Sequence, residues 1–444
     1  MPNALIVLAA GRGTRMQSDM PKVLHEVAGA PLLVHALGSA SELEAERVVI
    51  VTGHGAEAVE ALDLGEHVEF VRQDEQLGTG HAVQQAKAAL EAHEGPVFVV
   101  YGDTPFIEPA TLADMAKALD NASLAVLGFE AADPGRYGRL VTDGDKLEKI
   151  VEWKDASDEE RAITLCNSGV LAGESGLVFD LLDEVTNDNA AGEYYLTDLP
   201  AIAASRGLVS RVVRCDEAET MGVNSRSDLA AASAAFQTRA RAAALEAGVT
   251  MDAPETVYFA YDTLLGRDCL VEPNVVFGPD VTVETGARIR AFSHLEGCHV
   301  SRGAIVGPYA RLRPGAELAE DVRVGNFVEI KNAEVAEGAK VNHLSYIGDA
   351  AVGAGANIGA GTITCNYDGV MKHRTEIGKG AFIGSNTMLV APVSVGDEAM
   401  TASGSVITSN VPDGDLAVAR TRQENKSGLA RRLMARLREI KRSR

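Results

Sequence analysis

Apolar and polar positions follow two different rhythms along the chain, and the rhythm changes after residue 226. Before that point, short β-rich apolar runs alternate with Ala-, Leu- and Glu-rich stretches typical of helices. The four clearest apolar runs are ALIVLAA, RVVIVTG, HVEFVRQ and VFVVYGD. This alternation predicts an α/β domain over residues 1–226, with ligands at the carboxyl ends of the strands. An Ala-rich stretch that ends at a glycine predicts a linker helix over residues 227–248.

Beyond Thr250 the apolar residues recur every six positions, with occasional slips of one residue. A helix would give spacings of three and four, and a simple strand would give a spacing of two. A sustained period of six is typical of hexapeptide repeats, in which short parallel strands wind into a triangular solenoid. We therefore predict a solenoid over residues 249–425. The residues expected to point into it are Val271, Phe277, Val283, Ile289, Leu295, Val300, Val306, Leu312, Leu318, Val324, Ile330, Val335, Val341, Ile347, Val352, Ile358, Ile377, Ile383, Leu389 and Val395.

One polar segment, Thr362–Glu376, interrupts the six-residue period with the sequence TITCNYDGVMKHRTE. A loop expelled from an otherwise regular solenoid is a candidate functional site. A tolerated insertion would give the same pattern, so both interpretations stay open on periodicity alone.

The charge and the cysteine content indicate which kinds of partner are excluded and which cellular compartment is favoured. The formal net charge is −22, yet residues 426–444 carry eight Lys or Arg against one Glu, so the remainder is more acidic still. An acidic body is repelled by phosphate backbones, and we expect no nucleic-acid partner. Apolar runs are too short for a membrane span or a signal peptide, so we expect no membrane partner. Five cysteines without a CxxC pair fit free thiols in the cytoplasm.

The segment LAAGRGTRMQSDMPK leaves the first apolar run through a glycine-bracketed turn. A dinucleotide fingerprint would need a third glycine where Met16 stands, and a P-loop would need a Gly-Lys-Ser/Thr ending that is absent. Gly11 and Gly13 allow a ligand to approach the backbone closely, while Arg15 and Lys22 add positive charge. Such a loop suits a nucleoside triphosphate. A structural turn followed by surface charges is the alternative.

Further polar residues follow other strands of the same half. Asp103 in VFVVYGDTP stands just beyond a buried run, where a carboxylate can bind Mg²⁺ that bridges phosphates. Gln73 in QDEQLGTGHA can bind a base edge through its amide, and Asn224 in MGVNSRSDL offers a neutral oxygen. A turn or helix-cap role for Asp103 is the alternative.

At these residues the chain resembles the sugar-phosphate nucleotidyltransferases. Over nearly its whole length it is similar to one family among them, the bifunctional bacterial N-acetylglucosamine-1-phosphate uridyltransferase/glucosamine-1-phosphate acetyltransferases. The resemblance implies an α/β Rossmann-like nucleotidyltransferase domain followed by a left-handed parallel β-helix of hexapeptide repeats. It weakens after about residue 425. The motifs that carry it are LAAGRGTRM with Pro21-Lys22, QLGTGHA, YGDTP, RYGRL, IVEWKDA, NSGV, GEYYLTD, GVNSRSD, RLRPGAEL, VGNFVEIKNAEV, HLSYIGDA and GAGTITCNYDGV.

For the first half, the resemblance implies uridylyl transfer from UTP to N-acetylglucosamine 1-phosphate. It gives Asp103 and Asn224 to Mg²⁺, and Arg15 and Lys22 to charge neutralisation in catalysis. Without the resemblance, Glu152 would be interpreted as a solvated surface charge. The residues implied in UTP and UDP-sugar binding are Leu8, Ala9, Ala10, Gly11, Lys22, Gln73, Gly78, Thr79, Tyr101, Gly102, Asp103, Gly138, Glu152, Asn167 and Asn224; of these, Gly138, Glu152 and Asn167 hold the amino sugar.

For the solenoid, the resemblance implies acetyl transfer from acetyl-CoA to glucosamine 1-phosphate in a homotrimer. His343 matches the general base, a role that suits imidazole near neutral pH. Ser403 departs from the alanine that the family often has. The residues implied for the sugar phosphate are Arg313, Lys331, Tyr346 and Asn357, and those implied for acetyl-CoA are Ala360, Asn366, Tyr367, Ser385, Ser403 and Arg420.

The basic tail, residues 426–444, is less defined. Leu429, Leu433, Leu437 and Ile440 stand near helical spacing, which predicts a short amphipathic helix that docks on the trimer. A frayed tail is the alternative.

Two other functions compete with the bifunctional one. In the first, the solenoid only regulates or oligomerises a nucleotidyltransferase, which the set Arg313, Lys331, His343 and Asn366 opposes. In the second, the chain is a non-enzymatic scaffold with the same two folds, which the intact Gly-Thr-Arg loop, Lys22 and Asp103 oppose.

Overall fold

The structure, a computed structural model, describes residues 2–443 and contains two compact units, Met1–Arg239 and Ala240–Arg444. Met1 and Arg444, which open the predicted first domain and close the predicted tail, lie outside the described residues. The division falls inside one long helix, Arg226–Glu246. The predicted domain bounds, including the linker over residues 227–248, stay predictions.

The first unit is an α/β fold built on a mixed sheet. Its strands are β1 (Ala4–Leu8), β2 (Glu26–Val27), β3 (Ala30–Pro31), β4 (Arg47–Thr52), β5 (Val68–Arg72), β6 (Pro96–Tyr101), β7 (Leu124–Glu130), β8 (Arg139–Asp143), β9 (Lys146–Val151), β10 (Leu165–Glu174) and β11 (Ser210–Cys215). Its helices are α1 (Leu32–Gly38), α2 (Ala56–Glu60), α3 (Thr79–Gln84), α4 (Pro109–Ala118), α5 (Asp158–Arg161), α6 (Ser175–Leu182), α7 (Leu199–Ser205) and α8 (Arg226–Glu246).

The main sheet of this unit has the order β5-β4-β1-β6-β10-β7-β11-β9-β8. The first four strands are parallel, and β10 runs antiparallel to β6 and β7. Strands β1, β4, β5 and β6 are the four predicted apolar runs. Alternate residues of β1 enter different cores, Ile6 on one side of the sheet and Leu5 on the other, which explains why the run is apolar throughout. Because β1, β5 and β6 run in the same direction, the loops that follow them meet at one edge.

The second unit is a parallel coil of short strands with three flat faces. Its strands are β12 (Thr250–Met251), β13 (Leu264–Leu265), β14 (Leu270–Val271), β15 (Val276–Phe277), β16 (Val281–Val283), β17 (Arg288–Ile289), β18 (His294–Leu295), β19 (Cys298–Val300), β20 (Ile305–Val306), β21 (Arg311–Leu312), β22 (Ala316–Leu318), β23 (Arg323–Asn326), β24 (Glu329–Val335), β25 (Lys340–His343), β26 (Tyr346–Val352), β27 (Asn357–Ile358), β28 (Ile363–Cys365), β29 (Thr375–Ile377), β30 (Phe382–Ile383), β31 (Met388–Val390), β32 (Val393–Val395), β33 (Met400–Thr401), β34 (Val406–Ile407) and β35 (Leu416–Ala417). A last helix, α9 (Leu429–Arg442), follows the coil.

We number the faces by the order in which one coil visits them. Face 1 is the sheet β12-β14-β17-β20-β23-β25-β27-β30-β33-β35. Face 2 contains the stack of β15, β18, β21, the start of β24, the start of β26, β28, β31 and β34. Face 3 contains β13, β16, β19, β22, the ends of β24 and β26, β29 and β32.

The six-residue period corresponds to the buried positions of this coil. Each predicted inward residue is at most 3% exposed. Leu312, Ile330 and Ile347 show why, since they occupy the same register position on successive coils and stack inside the prism. One apolar residue per face therefore fills the interior, as the period predicts.

The interruption of the repeat is shorter than predicted. Residues 363–365 and 375–377 pair with neighbouring coils as β28 and β29, so the expelled loop is residues 366–374 and not Thr362–Glu376. Thr364 is fully buried inside the coil, where its hydroxyl accepts from the Gly348 N–H at 2.8 Å and donates to the Gly348 carbonyl at 3.0 Å. Because Thr364 is polar although it points inward, the hydrophobic pattern did not show that the repeat continues through this strand.

Helix α9 carries Leu433, Leu437 and Ile440 with roughly half of each residue exposed. The predicted tail helix is therefore present, and its docking on a trimer stays a prediction. Among residues 2–443, no helix is both long enough and apolar enough to cross a membrane.

Candidate functional site

A cleft of about 400 Å³ lies in the first unit where the loops after β1, β5 and β6 meet. Most residues predicted to bind UTP line it, together with Val23, Gln76, Ala82 and Glu193, which the sequence had not singled out. The predicted residues that line it are Leu8, Ala9, Ala10, Gly11, Lys22, Gln73, Gly78, Thr79, Tyr101, Asp103 and Asn224. Those that lie outside the lining are Arg15, Gly102, Gly138, Glu152 and Asn167.

Three polar side chains meet in this cleft. The Lys22 ammonium forms an ion pair with the Asp103 carboxylate and donates to the Asn224 amide oxygen at 3.2 Å. The side chains of Lys22 and Asp103 are 13% and 15% exposed, so the pair is shielded from solvent. One carboxylate oxygen and one amide oxygen thus point at a common cation, and such oxygens are ligands that Mg²⁺ prefers.

The oxygens of Asp103 and Asn224 fit a Mg²⁺ ion that is bound jointly by the protein and the substrate. They do not fit a site in which the protein supplies every ligand. Within residues 2–443, no group of three His, Cys, Asp or Glu side chains is placed to hold a metal. Mg²⁺ commonly takes one or two carboxylate ligands and fills its other positions with water and substrate phosphates. Asp103 and Asn224 supply a donor set of this kind.

The start of α8 fixes Asn224. The Asp228 carboxylate accepts from the N–H groups of Asn224 at 3.0 Å and Ser225 at 2.9 Å, while the Ser225 hydroxyl accepts from the Asp228 N–H at 3.2 Å. This reciprocal cap satisfies N–H groups that a helix start leaves without partners. The Val223 N–H donates to the Asp103 carbonyl at 2.9 Å, which joins the two predicted metal ligands through the backbone.

The glycine-rich loop packs closely against Lys22. Gly13 has φ of 58°, and a Cβ built on it would lie 2.8 Å from the Lys22 Cβ, so a larger residue is excluded. Arg15 is exposed and lies in the short turn Thr14–Met16, outside the cleft lining. At the other side of the site, the Gly102 N–H donates to the Leu8 carbonyl at 3.0 Å and ties the ends of β6 and β1 together.

Gln76 joins the two loops that border the cleft. Its amide N–H donates to the Ala10 carbonyl at 3.1 Å, and its amide oxygen accepts from Arg12 Nε at 3.0 Å. Nearby, the buried Gln73 amide donates to the Gly78 carbonyl at 3.0 Å. Sequence reasoning chose Gln73 and missed Gln76, although both stand in the same QDEQLGTGHA segment.

The residues predicted for the amino sugar lie together beside the cleft. The Asn167 N–H donates to the Gly138 carbonyl at 2.9 Å, and a Cβ on Gly138 would lie 3.5 Å from Glu152 Oε1. Glu152 Oε1 accepts from the Thr197 hydroxyl at 3.1 Å, and burial raises the pKa of Glu152. We call Gly138, Glu152 and Asn167 the sugar cluster.

Tyr101 lies between the sugar cluster and the cleft. Burial raises the pKa of Tyr101, and the nearby carboxylates of Glu152 and Asp103 raise it further. Gly169 faces this ring so closely that a Cβ there would lie 2.6 Å from it. Tyr101 thus lines the cleft and is also near the Glu152 carboxylate of the sugar cluster.

In the second unit, five predicted residues follow one edge of the coil, where face 1 turns into face 2. His343 ends β25, and its carbonyl accepts from the Gly361 N–H at 3.2 Å on the next coil. The same stacking continues upward, because the Asn386 N–H donates to the Ala360 carbonyl at 2.7 Å and the Gly404 N–H donates to the Ser385 carbonyl at 2.8 Å. At the top of this stack, the Arg420 guanidinium donates to the Ser403 carbonyl at 2.5 Å. We call this edge the His343 edge. Its predicted residues are His343, Ala360, Ser385, Ser403 and Arg420.

The imidazole of His343 is exposed and held at one nitrogen. Its Nδ1 lies 3.0 Å from the Asn326 amide oxygen. An amide oxygen can only accept, so this contact places the proton on Nδ1 and leaves Nε2 as the basic nitrogen.

A second group lies on face 2 and its border with face 3. Arg313 donates to the Glu329 carboxylate at 2.8 Å, while its Nε is buried without a hydrogen-bond partner among the described residues. Lys331, one coil above, has its pKa lowered because the Lys372 ammonium of the expelled loop lies beside it. An unsatisfied guanidinium N–H beside two adjacent ammonium groups favours an anion.

Asn366 anchors the expelled loop to this group and not to the His343 edge. Its amide donates to the Asp349 carboxylate and to the Tyr346 hydroxyl, the latter at 3.4 Å. Burial acts to raise the pKa of Asp349, but hydrogen bonds from Asn332 and Asn366 hold it below its ordinary value. Asn366 thus lies with the residues predicted for the sugar phosphate, although the sequence placed it with acetyl-CoA.

Two predicted residues stand apart from both groups. Asn357 lies on face 1 in register with Lys340 and Phe382. Tyr367 is 61% exposed on the loop, where its hydroxyl donates to the Gly369 carbonyl at 2.5 Å. A groove of about 460 Å³ does exist on face 3, lined by His299 and Glu317 among others, and it contains no residue predicted for acetyl transfer. Among the predicted acetyl-transfer residues, His343, Ser385 and Arg420 are exposed, whereas Asn366 is only 8% exposed.

Comparison with known proteins finds a family match in each half of the chain. Residues 5–220 match the model of the MobA-like NTP transferase domain, and residues 374–409 match that of the bacterial transferase hexapeptide with six repeats. The chain is 66% identical over 443 residues to the bifunctional protein GlmU of Ruegeria sp. (strain TM1040), covering 99% of each. It is 68% identical over 433 residues to the bifunctional protein GlmU of Cereibacter sphaeroides (strain ATCC 17025 / ATH 2.4.3), covering 97% of this chain and 95% of the relative.

Among solved structures, UDP-glucose pyrophosphorylase complexed with UDP-glucose aligns with 54% of this chain and all of its own, at 21% identity and a TM-score of 0.46. The NTP transferase match and the hexapeptide match confirm the predicted fold class, an α/β nucleotidyltransferase domain followed by a left-handed parallel β-helix.

Proposed function

The chain belongs to the GlmU family of bifunctional proteins, and from that membership we propose that it makes UDP-N-acetylglucosamine in two steps. The first step transfers the acetyl group of acetyl-CoA to the amine of glucosamine 1-phosphate. The second transfers the uridylyl group of UTP to N-acetylglucosamine 1-phosphate and releases pyrophosphate. The observation that carries the proposal is that the cleft of the first unit gathers Lys22, Asp103 and Asn224. The coil of the second unit carries His343 on one edge and a separate cationic group, Arg313 and Lys331, on face 2.

Uridylyl transfer is an in-line displacement in which a phosphate oxygen of the sugar phosphate bonds to the α-phosphorus of UTP as the bond to pyrophosphate breaks. Lys22 and Arg15 offset the charge that develops on the phosphates, and Asp103 with Asn224 would hold Mg²⁺, which adds further neutralisation. The remaining residues orient the two substrates, which is the larger part of catalysis in such reactions. Gln73, Gly78 and Thr79 hold the uracil end, and the sugar cluster holds the N-acetyl sugar.

Acetyl transfer begins when the amine of glucosamine 1-phosphate attacks the thioester carbonyl. His343 Nε2 accepts the proton that the amine loses, and the CoA thiolate leaves when the tetrahedral intermediate collapses. Asn326 holds the ring in the tautomer that this role needs. Arg313, Lys331 and Tyr346 bind the phosphate, Asn357 contacts the sugar phosphate, and Ala360, Asn366, Tyr367, Ser385, Ser403 and Arg420 bind acetyl-CoA.

A homotrimer completes this proposal, because the His343 edge lies open in one chain. Below His343, the same edge carries Phe292, Tyr309 and Phe327, which stack with ring centroids 4.9 and 5.2 Å apart and are each about half exposed. All three have positive φ values of 55–60°, a conformation that bulky residues rarely adopt. Large exposed rings held in strained positions support a surface that another copy covers.

A cytoplasmic location is also part of the proposal. Cys166, Cys215, Cys269, Cys298 and Cys365 are all unpaired. Free thiols persist in reducing compartments, which supports that location.

The test is a product assay on the intact protein. Glucosamine 1-phosphate, acetyl-CoA, UTP and Mg²⁺ are incubated with it, and the products are identified by mass. We expect UDP-N-acetylglucosamine, and with EDTA in place of Mg²⁺ we expect N-acetylglucosamine 1-phosphate to accumulate instead. Absence of UDP-N-acetylglucosamine from the complete mixture contradicts the proposal. Its formation only from added N-acetylglucosamine 1-phosphate would support a monofunctional nucleotidyltransferase.

A further inference from the structure

Arg139 is a buried cation directly after Gly138 of the sugar cluster. Only 2% of the residue is exposed, and it is among the largest fully buried side chains of the chain. The sequence motif RYGRL contains it, but neither composition nor periodicity gives it a role. A buried charge is costly unless hydrogen bonds compensate it, so the partners of this guanidinium carry information.

The guanidinium of Arg139 donates to main-chain carbonyl oxygens. It donates to the carbonyls of Pro134 at 3.2 Å, Gly135 at 3.1 Å and Tyr137, and its Nε donates to the carbonyl of Arg161 at 3.3 Å. Only a planar group with several N–H donors in fixed directions can serve so many carbonyls at once. The ammonium of a lysine carries its three N–H donors on one nitrogen, so it cannot reach all of these carbonyls at once.

These carbonyls belong to two segments that border the sugar cluster. Residues 134–137 form the turn that delivers Gly138, whose own carbonyl accepts from the Asn167 N–H at 2.9 Å. Fixing the turn therefore fixes the backbone at Gly138 relative to Asn167.

The second segment leads to Glu152. Arg161 ends α5, and its guanidinium donates to the Trp153 carbonyl at 3.4 and 3.3 Å while lying 4.8 Å from the centre of the Trp153 ring. Trp153 is the residue next to Glu152. Through the Arg161 carbonyl, Arg139 is thus joined to the strand end that presents the Glu152 carboxylate.

We propose that Arg139 is a positioning residue of uridylyl transfer, which holds Gly138 and Glu152 at the separation that the sugar of the incoming sugar phosphate requires. It acts through main-chain carbonyls and does not touch the substrate. This inference rests on the proposed function, because it takes the sugar cluster as the sugar-binding part of that site. It predicts an effect on one substrate only, since Lys22, Asp103 and the uracil-binding residues do not depend on Arg139.

The test compares Arg139→Lys with the wild type in the full-length enzyme. The substitution keeps the charge and removes the planar fork. We expect the KM for N-acetylglucosamine 1-phosphate to rise about tenfold or more, because a misplacement of about 1 Å can cost about 10²-fold. The KM for UTP and the acetyl-transfer rate are expected to stay close to wild type. Arg211→Lys, at an exposed arginine of β11 in the same unit, is the matched control.

A second variant protects the test against loss of the fold. Arg161→Gln removes the contact with Trp153 from a partly exposed side chain and leaves the Arg161 carbonyl in place. We expect the same selective rise in the KM for the sugar phosphate, but a smaller one.

The outcomes separate a positioning role from a structural one. Unchanged KM for the sugar phosphate in both variants overturns the inference. Equal rises for both substrates, or a lower unfolding temperature with unchanged KM values, also overturn it, because a merely structural arginine would act that way. Failure of the wild type to form UDP-N-acetylglucosamine would instead refute the proposed function itself.

Discussion

The cleft of the α/β unit and the His343 edge of the coil present their polar residues in opposite ways. In the cleft, the side chains of Lys22 and Asp103 are 13% and 15% exposed and bond to each other. On the coil, His343 is exposed and Tyr367 is 61% exposed. Loops that follow neighbouring parallel strands converge on a common point, whereas outward residues of a convex prism diverge.

This difference shows how much of each site a single chain supplies. The cleft already encloses about 400 Å³ with residues of one chain. On the coil, the proposed base His343 is exposed, and the groove of about 460 Å³ on face 3 does not include it. Under the proposed function, neighbouring copies in a trimer would exclude water from His343, while the cleft forms within one chain, so the two activities should respond independently to substitution.

The largest effect is expected from a substitution in the cleft, which should impair uridylyl transfer and leave acetyl transfer intact. In Asp103→Ala, one of the two predicted metal ligands is lost and the Lys22 ammonium keeps only Asn224 as a partner. Because a charge-stabilising group is removed from a shielded site, we expect uridylyl transfer to fall by about 10³-fold. Release of pyrophosphate from UTP measures it. Acetyl transfer, assayed by release of CoA in the same preparation, should be nearly unchanged; a parallel fall in both would mean that the halves are not independent.

His343→Ala should give the reverse pattern with a somewhat smaller effect. Loss of a general base typically reduces the rate by about 10²–10⁴-fold, so we expect CoA release to drop in this range while uridylyl transfer persists. His299→Ala is the matched control, because His299 lies on face 3 between the carboxylates of Glu284 and Glu317. Acetyl transfer at the wild-type rate in His343→Ala would show that the base is wrongly assigned.

The two halves also differ in what their sequences allow us to predict. The coil repeats one backbone unit, so its apolar period predicts the buried residues directly, and only polar inward residues such as Thr364 escape it. In the α/β unit, the apolar runs predict strands β1, β4, β5 and β6, but the site depends on contacts between distant loops. Gln76 bonds to the carbonyl of Ala10, which is far away in sequence, and Arg139 bonds to carbonyls of its own turn and to that of Arg161. No residue pattern reports such contacts.

The placement of Asn366 shows the same limit on the coil. Its position in the expelled loop was evident from the broken period, whereas its contacts with Tyr346 and Asp349 depend on how the loop folds back on face 2. Arg15 is the converse case, since the motif gives it a role while the structure leaves it exposed outside the cleft lining. The local sequence pattern predicts which residues are candidates for the site, and tertiary packing decides which of these candidates contact one another.

The smallest expected effect concerns pH and again contrasts the two halves. Burial raises the pKa of Glu152 above the ordinary glutamate value of 4.5, whereas hydrogen bonds hold the pKa of Asp349 on the coil below its ordinary value. On acidification, Glu152 therefore gains a proton while Asp349 stays ionised. A protonated Glu152 is a poorer acceptor for sugar hydroxyls, so the KM for N-acetylglucosamine 1-phosphate should rise severalfold as the pH falls through the raised pKa.

The measurement needs a variant that lacks this titration, because the phosphate of the substrate itself has a second pKa of about 6. Glu152→Gln keeps the shape and cannot titrate, so the ratio of the two KM values across pH isolates the carboxyl group. A constant ratio would mean that Glu152 does not bind the sugar in its ionised form. Unfolding cannot produce the expected rise through this group: since its pKa is higher in the folded chain, the folded state binds more protons, and its contribution to the free energy of unfolding increases as the pH falls. The group that weakens sugar binding at low pH is therefore one whose protonation favours the fold, and the loss of affinity should appear while the chain is still folded.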